Sequence, residues 1–220
     1  MKKILFIRHG ETKWNKEDRV QGISDISLSK KGKEQAKAVS SVLKDIKLDA
    51  IYTSPLKRTV ETANAINKFH KLKVMKLSQL KEINYGIFEG MTKSEIINYY
   101  SKKNRTEQLL EAARGLFDEN FKFPEGEGYT DLSERIELFL KHLFMTDYET
   151  IAVVTHASVI LNLAKKVNKW NRAVMVYKMI KSEIDNCSFT IFEGKSSDKL
   201  KMISLDKFGL PLFYFKTKVL

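Results

Sequence analysis

The chain carries a single cysteine, Cys187, so no disulfide can form within it, which suits a reducing compartment and gives a cytoplasmic expectation. It also lacks any apolar stretch near the roughly 20 residues of a membrane helix. The run Ile4–Ile7 behind Met1-Lys2-Lys3 is too short for the core of an export signal. Low-complexity segments, linkers and internal repeats are missing as well. Arginine is scarce, at seven of 39 basic residues, and no run of five or six like charges occurs. Despite a net charge of +12, no basic stripe interleaved with aromatics appears, so neither nucleic acid nor membrane is the expected partner. Scattered lysines read as a solvated surface whose positive field gathers small anions. Four scattered histidines and one cysteine give no metal-ligand spacing.

What is present is an alternation of strand-like and helix-like segments. The 220 residues are enough for one domain with a substantial core. Ile4–Ile7, Ala50–Thr53 and Ile151–Val154 are continuous apolar runs of the kind buried on both faces of a sheet, and Lys73–Leu77 is a weaker strand. Ser29 is placed to cap a helix whose inner face is Ala36, Val39, Leu43 and Ile46. A second helix is expected from about Pro55, in its first turn, to Phe69, and another over Ala157–Val167. Cys187–Phe192 and Leu200–Leu205 close the pattern as late strands. The expected fold is α/β, a mostly parallel sheet flanked by helices on both faces. From about 91 to 149 the pattern becomes helical. Thr92-Lys93-Ser94-Glu95 reads as a capping box. Leu132, Ile136, Phe139, Leu140, Leu143 and Phe144 mark a long amphipathic helix after the loop Phe123–Gly128. This segment is expected as an insertion over one edge of the sheet within a single domain, 1–220.

Arg8-His9-Gly10-Glu11-Thr12 follows the first strand directly. An arginine offers a planar fork of donors to phosphate oxygens, and a histidine can be a nucleophile or proton carrier. A lone histidine beside a strand is more often structural; its company decides the matter. Arg58 follows the second strand, Glu82 the third, and His156 the strand Ile151–Val154. Ligands of open α/β sheets bind beyond the carboxyl ends of the strands, so these five side chains start near one crevice. Arg8, Arg58 and His156 can surround phosphoryl oxygens, a neutral His9 can attack phosphorus, and Glu82 is the carboxyl available to protonate a leaving oxygen.

These blocks are similar to the histidine phosphatase superfamily, the phosphoglycerate-mutase-like group. The likeness runs through Arg8–Asn15, Arg19-Val20-Gln21-Gly22, Asp25, Leu28, Gly32, Gln35-Ala36, Ser54–Ala63, Leu80–Gly90 and Thr155-His156. It implies a phosphohistidine on His9, a phosphate pocket of Arg8, Arg58 and His156, and Glu82 as proton donor and acceptor. It implies substrate or phosphate contacts from Asn15, Gln21 and Gly22, and no cofactor. Ala157 replaces a frequent glycine but keeps its N–H, Ile26 replaces a frequent proline, and Glu127-Gly128 resembles a Gly-Glu-Ser pattern without the serine. The segment after Gly90 holds Arg105 and Arg114 but no adjacent arginine pair, and Glu89 stands where mutases tend to have glutamine. Both features favour a metal-independent phosphomonoesterase of small phosphorylated metabolites over a cofactor-dependent phosphoglycerate mutase, and the completeness of the set favours it over a non-catalytic phosphate- or protein-binding module. His70, His142, Cys187 and Glu11 are read as structural. The aromatic tail from Phe208 is read as docking on the domain or on a second subunit, leaving a homodimer open.

Overall fold

The structure is a computed structural model and describes residues 1–102, 121–170 and 184–205. Arg105, Arg114 and the aromatic tail lie outside the described residues. Six strands form one sheet in the order β3-β2-β4-β1-β5-β6. They are β1 (Lys2–Arg8), β2 (Ala50–Thr53), β3 (Val74–Lys76), β4 (Thr150–Thr155), β5 (Phe189–Gly194) and β6 (Lys201–Leu205). The first four pair in parallel, whereas β5 is antiparallel to both β1 and β6.

Because successive side chains of a strand point to opposite faces, β1 feeds two cores. Ile4 and Phe6 enter one, with Tyr52 and Val153 from β2 and β4. Leu5 and Ile7 enter the other, with Ile51 and Val154. After the one-turn helix α1 (Lys13–Lys16), the second core is covered by α2 (Lys30–Leu43) and α3 (Lys57–His70), which present Ala36, Val39, Leu43, Ala63 and Ile66. Ser29 caps α2, its Oγ accepting the Gly32 N–H at 3.0 Å. Pro55 lies before α3 rather than in its first turn, and Leu56 is the N-cap.

After β3 come α4 (Lys93–Lys102) and α5 (Tyr129–Phe144). The expected capping box opens α4: Thr92 N–H donates to Glu95 Oε2 at 2.7 Å, and Glu95 N–H to Thr92 Oγ1 at 3.2 Å. The long helix α5 does not hang over an edge. It lies on the first core with α6 (Ala157–Asn168), and the Phe139 ring meets Phe6 at 6.4 Å and Tyr52 at 5.6 Å. Its apolar face is wide enough to serve as a sheet-covering crossover.

The chain thus steps outward from β1 to β2 and β3 with helices on one face, then returns to β4 on the other. That reversal leaves a crevice at the carboxyl ends. Register brings those ends level: Arg8 lies beside Thr155 and Thr53 beside Val154.

Candidate active site

Each of the five chemically equipped residues stands where regular structure stops. Arg8 is the last residue of β1, and His9 continues it, its N–H donating to Thr155 O at 3.0 Å. His156 follows β4 as the N-cap of α6. Arg58 is in the first turn of α3, and Glu82 lies on irregular chain beyond the 3₁₀ turn Ser78–Leu80.

The two imidazoles meet edge to face, with ring centroids 5.2 Å apart. His9 Nδ1 lies 2.7 Å from Gly10 O. A carbonyl only accepts, so Nδ1 carries the proton and Nε2 keeps its lone pair. Burial, then the charges of Arg58 and Arg8, hold the His9 imidazole well below its ordinary pKa. Burial, then Arg58 and His9, do the same to His156. Both rings are therefore neutral at pH 7. Burial also lowers Arg8, and lowers Arg58 to about 10, while Glu82 opposes both shifts.

Among the described residues, Arg8 Nε, Arg58 Nε and both ring nitrogens of His156 are buried without a hydrogen-bond partner. Buried polar groups are seldom left so, and here four nitrogens are, in side chains that feel one another's charge. Such a set fits an anion. The α6 N-terminus adds to it: Ala157 opens the helix, and first-turn amides have no partner inside a helix. Among the described residues no three His, Cys, Asp or Glu side chains cluster as a metal site requires.

Surrounding loops fix these groups. Arg58 Nη1 donates to Ser24 O at 2.7 Å and Nη2 to Gly22 O at 2.6 Å. Gly22 has φ +52°, which favours glycine, and a Cβ there would lie 1.9 Å from Glu89 Oε1. That carboxylate organises the turn by accepting the N–H groups of Ile23 and Ser24 at 2.9 and 2.8 Å. Gln21 and Asn15 knit the loop after His9. Thr12 Oγ1 donates to Gln21 Oε1 at 2.9 Å, and Thr12 N–H to Asn15 Oδ1 at 3.1 Å. Glu11 accepts the Ser29 hydroxyl at 2.9 Å and pairs with Lys31, a structural role. Gly10 serves packing: a Cβ on it would lie 2.5 Å from Gly32 O of α2.

Glu82 is 8% exposed, facing the crevice beside α6. Its Oε1 accepts the Ile83 N–H at 2.9 Å, and Oε2 lies 3.4 Å from the Ser158 N–H. Tyr85 Oη sits 3.0 Å from Ser158 Oγ.

A further wall, which sequence reasoning missed, is the turn Ile184–Ser188. Arg8 Nη1 donates to Ile184 O at 2.6 Å, and Asn186 Nδ2 to His9 O at 2.9 Å. Cys187 is buried at φ +59°, in this turn rather than in a strand, and burial raises its thiol pKa to about 12. Backbone carbonyls do much of this work, so no side-chain motif announces it. Glu127, in the loop before α5, is engaged by Arg135 and by the Asn84 N–H.

Known proteins resemble this chain in sequence and in fold. The chain is 35% identical over 157 residues to phosphoserine phosphatase 1 of Hydrogenobacter thermophilus, covering 71% of each. It is 34% identical over 141 residues to a probable phosphoglycerate mutase, GpmB, of Escherichia coli, covering 64% of this chain and 62% of that protein. The structure of phosphoserine phosphatase from Entamoeba histolytica, in complex with 3-phosphoglyceric acid, superposes with a TM-score of 0.74 at 25% identity, covering 96% of this chain and all of that one. The sequence profile of the histidine phosphatase superfamily (branch 1) matches residues 4–203, and the chain belongs to that superfamily.

Proposed function

We propose that this chain is a phosphomonoesterase of small phosphorylated metabolites that uses His9 as its nucleophile and requires no metal. The observation that carries the reading is the pairing of a buried, neutral His9, with Nε2 unprotonated, and a set of partnerless buried nitrogens on Arg8, Arg58 and His156. Phosphatase relatives support the hydrolytic reading.

In the first half-reaction His9 Nε2 attacks phosphorus and the P–O bond to the leaving group breaks. Glu82, protonated, gives its proton to the departing alkoxide, which leaves as an alcohol. Arg8, Arg58, a ring N–H of His156 and the Ala157 N–H hold the three equatorial oxygens as charge shifts onto them. In the second half-reaction Glu82, now a carboxylate, takes a proton from water as its oxygen attacks phosphorus. The P–N bond breaks, phosphate leaves, and both His9 and Glu82 return to their starting states. Asn15, Gln21 and Gly22 act by fixing the loop after His9 and the carbonyls that aim Arg58.

A mutase reading stays in view because some relatives bear that name. The two differ in where the phosphoryl group goes, to water or to a second hydroxyl. The deciding experiment is a panel of phosphorylated metabolites in the presence of a chelator, with and without added bisphosphoglycerate, alongside trapping of labelled phosphate. Wild type is expected to release phosphate and to carry an acid-labile label during turnover, and His9→Ala to do neither. Activity in His9→Ala, or dependence on added metal, overturns the reading. Isomerisation that needs bisphosphoglycerate replaces it with the mutase, and phosphate binding without turnover replaces it with a binding module.

A further inference from the structure

Arg135 of α5 is the most fully engaged side chain outside the crevice. Its Nη1 donates to Gln79 O at 2.7 Å and to Lys81 O at 2.6 Å. Its Nη2 donates to Glu82 O at 2.9 Å and to Glu127 Oε2 at 3.1 Å, and its Nε to Glu127 Oε1 at 3.2 Å. A guanidinium has five N–H donors, and these contacts occupy all five. Glu127 in turn accepts the Asn84 N–H through Oε2 at 2.9 Å.

Glu82 needs such support. The short 3₁₀ turn Ser78–Leu80 ends just before it and regular structure does not resume until Gly86, so the carbonyls from Gln79 to Glu82 have no helix or strand ladder to satisfy them. Four consecutive carbonyls are instead taken by side chains. Arg135 holds those of Gln79, Lys81 and Glu82, and Thr155 Oγ1 of β4 donates to that of Leu80 at 2.8 Å. The Glu82 peptide is gripped on its own carbonyl by Arg135 and two residues later by Glu127, and those two grips are themselves one ion pair.

We propose that Arg135 and Glu127 are positioning residues for proton transfer: a clasp between α5 and the Glu82 segment that sets where the Glu82 carboxyl meets the leaving oxygen. This rests on the acid role proposed for Glu82. Neither residue belongs to the groups assigned to the phosphate. They act through the Glu82 backbone, and a displacement of about 1 Å at a reacting group costs on the order of 100-fold in rate. Lysine cannot replace the fork, since an ammonium cannot span three carbonyls and a carboxylate in one plane.

The test compares two substrates in wild type, Glu82→Gln, Arg135→Lys and Glu127→Gln. One is 4-nitrophenyl phosphate, whose leaving group departs without a proton; the other is an alkyl phosphate, whose alkoxide requires one. In Arg135→Lys and Glu127→Gln, kcat/KM, which reports phosphoenzyme formation and not its shared hydrolysis, is expected to fall about 10- to 100-fold for the alkyl phosphate and less than threefold for the nitrophenyl ester. The alkaline limb of the kcat/KM–pH profile for the alkyl phosphate, where a general acid loses its proton, should move in both variants. Glu127→Gln preserves shape and serves if Arg135→Lys does not fold. In the Glu82→Gln background, adding Arg135→Lys should produce no further discrimination between the substrates. Equal losses on both substrates, or none, in variants that fold while Glu82→Gln itself discriminates, overturn the clasp alone. If Glu82→Gln does not discriminate, the acid role and the clasp fall together.

Discussion

Two buried imidazoles between two guanidiniums make protonation costly in the native state. Their pKa values are lowered on folding, so below the ordinary histidine value of 6.5 the unfolded chain binds protons that the folded one refuses. Stability is therefore fully present above pH 6.5 and is lost as pH falls, by about 1.4 kcal/mol per pH unit for each histidine. Urea melts of wild type and His156→Gln between pH 7.5 and 5.5 check this: the wild-type slope should be the steeper by up to that amount. An equal or shallower wild-type slope would mean that His156 accepts its proton readily in the fold. At this scale much of the site was legible. Arg8, His9, Arg58, Glu82 and His156 each sit in a recognisable block, and the fold brings them to one crevice. Arg135 and Asn186 were not legible, because both act on backbone carbonyls distant in sequence, and a guanidinium or amide reaching for a carbonyl leaves no spacing to read.

Among the elements, α5 separates pattern from placement. Its apolar spacing identified the helix and its inner face, yet periodicity does not say which surface that face meets, and the helix covers the sheet instead of trailing over its edge. Leu140 is 1% exposed in the core while Leu138, two residues earlier, is 60% exposed. Leu140→Ala should cost about 2–5 kcal/mol in chemical denaturation. Leu138→Ala should stay within about 0.5 kcal/mol. Similar losses for both would mean that α5 is not docked as described. Pro55 shows the complementary limit: proline is compatible with a first helical turn, but it equally suits the bend that precedes one, and here Leu56 takes the cap.

At the scale of the molecule, a charge of +12 sets up long-range attraction for anions, the proposed phosphorylated substrates among them. Raising ionic strength from about 20 to 300 mM should lower kcat/KM about threefold or more and change kcat little, since screening acts on approach rather than on bound substrate. A salt-independent kcat/KM would show that the lysines do not contribute to capture. The sheet itself was read correctly as mostly parallel, but strand order lies beyond apolar runs, which mark strands without naming their neighbours.

That order has a consequence for how the protein comes into being. The strand leading into His9 is made well before both of its neighbours, Thr150–Thr155 and Phe189–Gly194. A nascent polypeptide that has not yet reached Thr150 holds His9 but neither flank to seat it, so the proposed phosphate cradle cannot assemble on it. On that reading the crevice is complete around His9 only once Phe189–Gly194 has been made.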